Sequence, residues 1–272
     1  MKYFKQYGEQ RTGTNYLKSL LELNFEEATV FASVLGWKHG MYEVSNYKER
    51  WYMNNLKTFP EFEAESHKDW VRKMSKGIDP KTAKPLLEGQ VLCVDNYVLP
   101  FSADELNYAC DNLNYIFMIK DIYGFVYSFK RFRHRRLDWE DVLKNGWVRR
   151  WCNRYELNYR RWVELFEGNK DNSIFIQYED LIRDKNKILS QLESKFKLTK
   201  KHKGYVDEDK VIQASTDMGL IKTKTPFDKN FYLNRRYMDH LPDEVKEVID
   251  NKYNSPNFQI LLNKISNRVN LS

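Results

Sequence analysis

Cysteine is scarce in this 272-residue chain. The three present, Cys93, Cys110 and Cys152, follow neither a metal-binding spacing nor the even-numbered framework of a disulfide-stapled domain. Cys93 sits in an apolar run and reads as a core residue, and a reducing compartment is the simpler setting. No apolar run approaches the roughly 20 residues of a membrane-spanning helix. The N-terminal MKYFKQYGEQ starts a strand at once, so no secretory leader is expected. Internal repeats and low-complexity linkers are also missing. These absences leave a soluble protein, expected in the cytoplasm, away from any membrane and large enough to bury a sizeable core.

What is present leans basic. The formal net charge is +7 and the sequence pI about 9.0. An excess of this size favours anionic ligands such as nucleotides, acidic sugars, nucleic acid or lipid headgroups, without choosing among them. An ordinary solvated surface would show the same balance.

Residues 2–7, KYFKQY, alternate as a strand does, and Leu17, Leu20, Leu21 and Phe25 then recur at helical spacing. ATVFASVLGW (28–37) reads as a second strand, VLCVD (91–95) as a short buried one, and YIFMIK (115–120) and SIFIQY (173–178) as strands buried on both faces. Helices are expected over 102–113, with Ser102 and Glu105 as a capping box, from about Tyr123, over 138–168, from Glu179 through Phe196, and near 242–252 and 256–267. Strands alternating with helices predict an α/β fold with a central, mainly parallel sheet. We read a single domain over 1–272, with a polar, Lys-rich insertion at about 41–89.

Four residues separate Gly8 from Gly13 in YGEQRTGTNYLKSLLELNF, as in the G-x-x-x-x-G-K-[ST] loop of nucleotide-binding proteins. A loop between a strand end and a helix start offers backbone N–H groups and a helix dipole to an anion. Thr12, Thr14 and Asn15 add side-chain donors and Arg11 a permanent charge. Yet the position of the loop lysine is Thr14. Phosphoryl transfer needs that lysine and a Mg²⁺ held in part by an Asp at a strand end, for which Asp95 is the candidate. The loop therefore suits an anionic group positioned without metal. An ordinary strand–turn–helix connection would also use these glycines.

QRTGTNY resembles the 5′-phosphosulfate loop of the sulfotransferases, a P-loop-like family whose donor is 3′-phosphoadenosine-5′-phosphosulfate (PAPS) and whose product is adenosine 3′,5′-bisphosphate (PAP). The resemblance implies that Arg11 replaces the loop's basic residue, that Thr12, Gly13, Thr14 and Asn15 cradle the 5′-phosphate, and that Tyr16 lies near the adenine. IKDIYGFVYS resembles the family's 3′-phosphate segment, a strand ending in a basic residue with Ser eight positions on, here Lys120 and Ser128. Lys in place of the commoner Arg gives a point charge instead of a bidentate fork. FIQYEDLIRD looks like the family's strand followed by Tyr-Glu-Asp-Leu. That puts Tyr178 near the adenine, with Glu179 and Asp180 structural at a helix N-terminus. Three motifs in order span residues 7–196. Tryptophans 147, 151 and 162 are read as core packing.

Sulfuryl transfer needs a base near the acceptor and cations at the leaving group. The segment GWKHG partly matches the family's Lys-x-His, which implies His39 as base, with Arg11 and Lys38 stabilising leaving-group charge. Glu61, Glu63, Glu65 and His67 are the alternatives. Trp51, Tyr52 and Trp70 of the insertion suit stacking on a sugar, so carbohydrate is the favoured acceptor. Lys222, Lys224 or Arg235 would clamp the donor. No metal is called for. Two rivals remain: a Mg-ATP-dependent kinase on the same fold, and a non-catalytic basic protein that binds nucleic acid, although no signature of a common nucleic-acid module is present.

Overall fold

The computed structural model describes residues 1–31, 38–39, 91–92, 98–99, 108, 112–207 and 228–269. The chain divides into two compact units: Met1–Val30, Lys38–Met41 and Asn114–Ser272 form one, and Phe31–Trp37 and Tyr42–Leu113 the other. The fold is α/β, with a four-stranded parallel sheet flanked by helices.

Strand β1 (Lys2–Gly8) leads through the loop into α1 (Thr14–Asn24) and then β2 (Ala28–Phe31). After β3 (Val91–Leu92) and β4 (Val98–Leu99) come β5 (Leu113–Ile119), α2 (Ile122–Arg133), α3 (Trp139–Lys144), α4 (Trp147–Gly168) and β6 (Ser173–Gln177). The chain closes with α5 (Tyr178–Arg183), α6 (Lys185–Phe196), α7 (Lys229–Leu233), a 3-10 turn (Arg236–His240), α8 (Asp243–Tyr253) and α9 (Pro256–Val269). The sheet order is β2-β1-β5-β6. β5 and β6 run parallel, with Ile116 opposite Ile174 and Met118 opposite Ile176.

Period-two alternation gives the sheet two different faces. Phe4, Ile116, Met118, Ile174 and Ile176 pack with Leu17, Leu20 and Leu21 of α1 and with Leu189 and Leu192 of α6, making a mostly aliphatic layer. The intervening Tyr7, Phe117 and Phe175 face an aromatic layer: Tyr7 lies against Phe117 (5.8 Å between centroids) and Trp162 of α4 (6.1 Å), and Phe175 against Phe166 (5.0 Å). Strands covered on both faces are the continuous apolar runs visible in the sequence.

The order places a switch point between β1 and β5. The chain leaves β1 for β2 on one side of the sheet and reaches β6 from β5 on the other. Ligands of open parallel sheets bind beyond the carboxyl ends of the strands at such a point. There the loop follows β1, Lys120 follows β5 and Tyr178 follows β6.

Two expectations change. The expected helix over 138–168 is two, because Gly146 takes a left-handed φ of 68° at the start of α4. The helix expected to run from Glu179 to Phe196 breaks at Asp184, whose side chain accepts from the Lys187 amide and caps α6. Of the short strand expected over 91–95, Val91–Leu92 is observed, paired antiparallel with Val98–Leu99 in a separate two-stranded ladder, and 93–95 lies outside the described residues. In the second strand, Ala28–Phe31 is observed and 32–37 lies outside the described residues. The insertion 41–89, with Glu61, Glu63, Glu65, His67, Trp51, Tyr52 and Trp70, also lies outside them, as do Asp95, Cys93, Cys110, Lys222 and Lys224. Among the described residues no helix is long and apolar enough to cross a membrane.

Candidate functional site

The loop is braced from within. Arg11 holds a left-handed backbone at φ 71°, uncommon away from glycine, and Gly13 one at 79°. The Thr12 amide and hydroxyl both donate to the Glu9 carbonyl, at 3.2 and 2.7 Å. Thr12 is fully buried, so its hydroxyl serves the turn. Gly13 begins α1, whose first turn has no side-chain cap and no carboxylate. The Gly13 and Thr14 amides at that turn have no partner within the helix, and the dipole behind them favours an anion. A side chain at Gly13 would also collide with Tyr178, whose Cδ2 lies 2.8 Å from an added Cβ. Gly8 is as tightly enclosed, with Thr12 Oγ1 at 2.7 Å and Met118 Cβ at 2.8 Å.

Lys120 extends from the end of β5 into this turn. Its Nζ donates to the Arg11 carbonyl (3.1 Å) and to Ser128 Oγ (2.9 Å), and Ser128 Oγ in turn donates to the Gly124 carbonyl (2.7 Å). The amine also lies 4.5 Å from the ring centroid of Tyr178 and 4.2 Å from that of Tyr232. Burial in this aromatic cage pushes its pKa down to about 7, with Arg11 adding to the fall and Glu179 and Asp121 opposing it. Glu179 is itself pushed up by burial.

His39 closes the other side. Its Nδ1 lies 2.6 Å from the Gly8 carbonyl, so Nδ1 carries the proton and Nε2 is the basic nitrogen of the neutral ring. Burial, and then the neighbouring Lys38 charge, lower its pKa to about 3. Lys38 donates to Asn15 Oδ1 at the first turn of α1, and its carbonyl accepts from the Gly8 amide (3.0 Å). The Lys38–His39 turn is thus pinned to both ends of the loop.

Glu9, Arg154 and Asn158 were not singled out from the sequence. The Glu9 carboxylate is wholly buried, with its pKa raised by burial. It pairs with Arg154 (2.9 Å) and accepts from Asn158. Arg154 and Asn158 also donate to the His39 carbonyl, at 3.0 and 3.3 Å. On the same helix, Tyr155 and Tyr159 donate to the Lys120 and Met118 carbonyls at the end of β5, at 2.6 and 3.0 Å. The i, i+3, i+4 spacing of Tyr155, Asn158 and Tyr159 was the available signal, though it reads first as core packing. Trp151 and Trp162 are core residues, 4% and 1% exposed.

Lys120, Ser128, Tyr178, Gly13 and the Arg11 backbone therefore meet, and Lys38, His39, Asn15 and Gly8 form the adjoining wall. The Arg11 guanidinium is exposed and stands 5.5 Å from the Phe132 ring. Tyr16 does not join them: its hydroxyl donates to Asp207 (3.2 Å) and its ring packs on the aliphatic layer. Arg235 pairs with Asp121 (3.5 Å), the cap of α2, and its Nε donates to the Tyr237 hydroxyl (3.3 Å). Among the described residues no three His, Cys, Asp or Glu side chains gather as a metal site requires.

No family model and no curated protein sequence matches the chain. Among solved structures it is similar to a sulfotransferase domain of the Synechococcus PCC 7002 olefin synthase, at 12% identity and TM-score 0.36 over 93% of this chain and 95% of that one. It is similar to the sulfotransferase domain of the curacin biosynthetic pathway, at 12% and 0.38 over 92% and 97%. A third is retinol dehydratase in complex with androsterone and the inactive cofactor PAP, at 15% and 0.41 over 94% and 84%.

Proposed function

We propose that this chain is a sulfotransferase that takes PAPS as donor, releases PAP and passes the sulfuryl group to an acceptor hydroxyl, with carbohydrate the favoured acceptor and the cytoplasm its compartment. One observation carries the reading: Lys120 Nζ contacts both Ser128 Oγ (2.9 Å) and the Arg11 carbonyl (3.1 Å), so residues from two separate sequence motifs converge on one point. The residues fit the donor's charges. An uncapped helix start suits the 5′-phosphate, and a buried amine with a hydroxyl at hydrogen-bond distance suits the 3′-phosphate. Tyr178, against Gly13 and Lys120, offers a ring at the mouth of the loop.

In this reading His39 accepts the acceptor's proton at Nε2 while the Gly8 carbonyl holds Nδ1–H. The acceptor oxygen forms the new S–O bond as the bridging S–O bond to the phosphate breaks. Charge on the departing phosphate is met by the α1 amides, Arg11 and Lys38. The polyanion offsets the push of Lys38 on His39 and raises its basicity for that step.

The reading is tested by calorimetric titration with PAP in EDTA, against ATP with and without Mg²⁺. Tight, metal-independent binding of PAP far above ATP is the expected result. Preference for Mg-ATP would point to a kinase-like protein, with Asp95 its candidate metal ligand, and reduce the resemblance to shared fold.

A further inference from the structure

Thirteen arginine side chains can be followed in the described residues, and they fall into two groups. Arg154, Arg160, Arg161, Arg183, Arg235 and Arg236 each form an ion pair with a carboxylate. The rest are all exposed, and among the described residues none is in ion-pair contact with a carboxylate. They lie in one region: Arg131, Arg133, Arg135 and Arg136 at the end of α2 and just beyond, Arg149 and Arg150 in the first turn of α4, and Arg11 on the loop.

Packing makes these stretches contiguous. Arg11 and Arg133 both stand over the Phe132 ring, at 5.5 and 5.1 Å, and Arg133 Nε donates to Gln10 Oε1 (3.1 Å). His134 lies against Trp147 (4.8 Å) and Trp151 (5.3 Å) of α4, and Arg150 stands over Trp147 (5.0 Å). A basic ridge therefore begins on the loop and runs over the end of α2 to the start of α4. Asp138, the nearest carboxylate in sequence, accepts from the Asp141 amide at the start of α3 and, among the described residues, forms no ion pair with a ridge arginine.

Like charges crowded on one surface cost free energy unless a counter-charge is supplied from outside. We propose that this ridge docks an extended acidic polysaccharide, whose carboxylate or sulfate groups engage the guanidinium forks while one of its hydroxyls is presented beside Arg11. The proposal rests on the sulfotransferase reading and narrows its acceptor from carbohydrate to polyanionic carbohydrate. Planar guanidinium groups match such oxyanions two bonds at a time. The rings on the ridge argue against single-stranded nucleic acid, whose bases need open aromatic faces to stack on. Here Phe132 is covered by Arg11 and Arg133, and Trp147 by Arg150 and His134.

Among the described residues the side chains of Arg135, Arg136 and Arg149 make no hydrogen bond or ring contact, so replacing all three by Ala should leave the fold and the loop intact. The control is Lys187→Ala, Lys203→Ala and Lys229→Ala, which removes the same charge from exposed positions elsewhere. The full chain and both triple variants are titrated with chondroitin sulfate, neutral dextran and poly(U), and separately with PAP. Expected is preference for chondroitin sulfate over poly(U), no binding of dextran, and about a tenfold loss in the arginine variant, roughly a factor of two per exposed contact. The lysine variant should lose far less, and PAP affinity should not move in either. An equal loss in both variants, or no loss in the arginine variant, overturns the ridge as docking surface. Preference for poly(U) overturns the polysaccharide. Chondroitin sulfate binding that depends on the ridge in a chain that fails to bind PAP would sink the sulfotransferase reading and leave the surface standing.

Discussion

PAP affinity should fall steeply as pH rises from 7 to 9, and the cause is one amine. Burial among Tyr178 and Tyr232 lowers Lys120 to about 7, so half the free chains carry the charge at pH 7 and about one in a hundred at pH 9. A phosphate with its second pKa near 6 is already a dianion across this window. If only the charged amine binds it, the apparent dissociation constant scales inversely with the competent fraction. That gives a loss of about fiftyfold, or about 2.3 kcal/mol, between pH 7 and 9. Binding should also take up protons, about half of one at pH 7 and nearly one at pH 9. Calorimetry in two buffers of different ionisation enthalpy reads both quantities. Lys120→Met should bind more weakly at pH 7 and show a much flatter profile. A wild-type affinity constant from pH 7 to 9, or the wild-type slope retained in Lys120→Met, would refute the assignment of Lys120 to a phosphate.

Other perturbations separate the parts of the site. Ser128→Ala removes one hydrogen bond to a charged group, about 1.5 kcal/mol, so PAP should bind roughly tenfold more weakly by titration; unchanged affinity would remove Ser128 from the site. His39→Ala should lower turnover by about a hundredfold or more while PAP affinity stays within a few-fold; full activity in a radiolabelled PAPS transfer assay would move the base elsewhere. Gly13→Ala puts a side chain at φ 79° and 2.8 Å from Tyr178, costing about 1–2 kcal/mol for the backbone alone. Its melting temperature and PAP affinity should both drop, and a wild-type melt would contradict the packing described. The free chain should also gain stability as pH rises above 7, because the unfolded state, with Lys120 near 10.5, binds more protons than the folded one. Lys120→Met should lack that gain when denaturant midpoints are compared at pH 7 and 9.

The parts legible in the sequence are those where short-range pattern and structure share a cause. Residues 115–119 and 173–177 read as strands because both faces of the sheet are covered, so no polar residue interrupts them. Lys120 and Ser128 could be paired in advance because IKDIYGFVYS resembles the family's strand-end base with Ser eight positions on, and a strand end and the following helix can bring both to one point. Interactions that tertiary packing alone creates were not legible. Glu9, Arg154 and Asn158 look like surface residues in a list of letters, and only α4 crossing behind the loop makes them one buried network. The breaks at Gly146 and Asp184 were marked by residues that suit a helix start, yet flanking apolar periodicity ran through both and hid them. Tyr16 shows a related limit: adjacency to the loop in sequence does not choose the side of α1 on which a ring lies, and the Tyr16 hydroxyl donates to Asp207.

The loop's missing lysine acquires a physical account from the same geometry. A lysine at position 14 would rise from the first turn of α1, but Thr14 is buried there. Two amines approach that turn from outside instead. Lys38 arrives beyond the β2 segment and is fastened to Asn15, and Lys120 arrives from β5 and is fastened to the Arg11 carbonyl. Charge supplied from outside the loop can serve two separate anionic groups, whereas a loop lysine reaches only the phosphates directly above it. On the proposed reading, a donor with phosphates on both its 3′ and 5′ positions calls for two such charges. It also leaves the Arg11 side chain exposed, at the point where the arginine ridge begins.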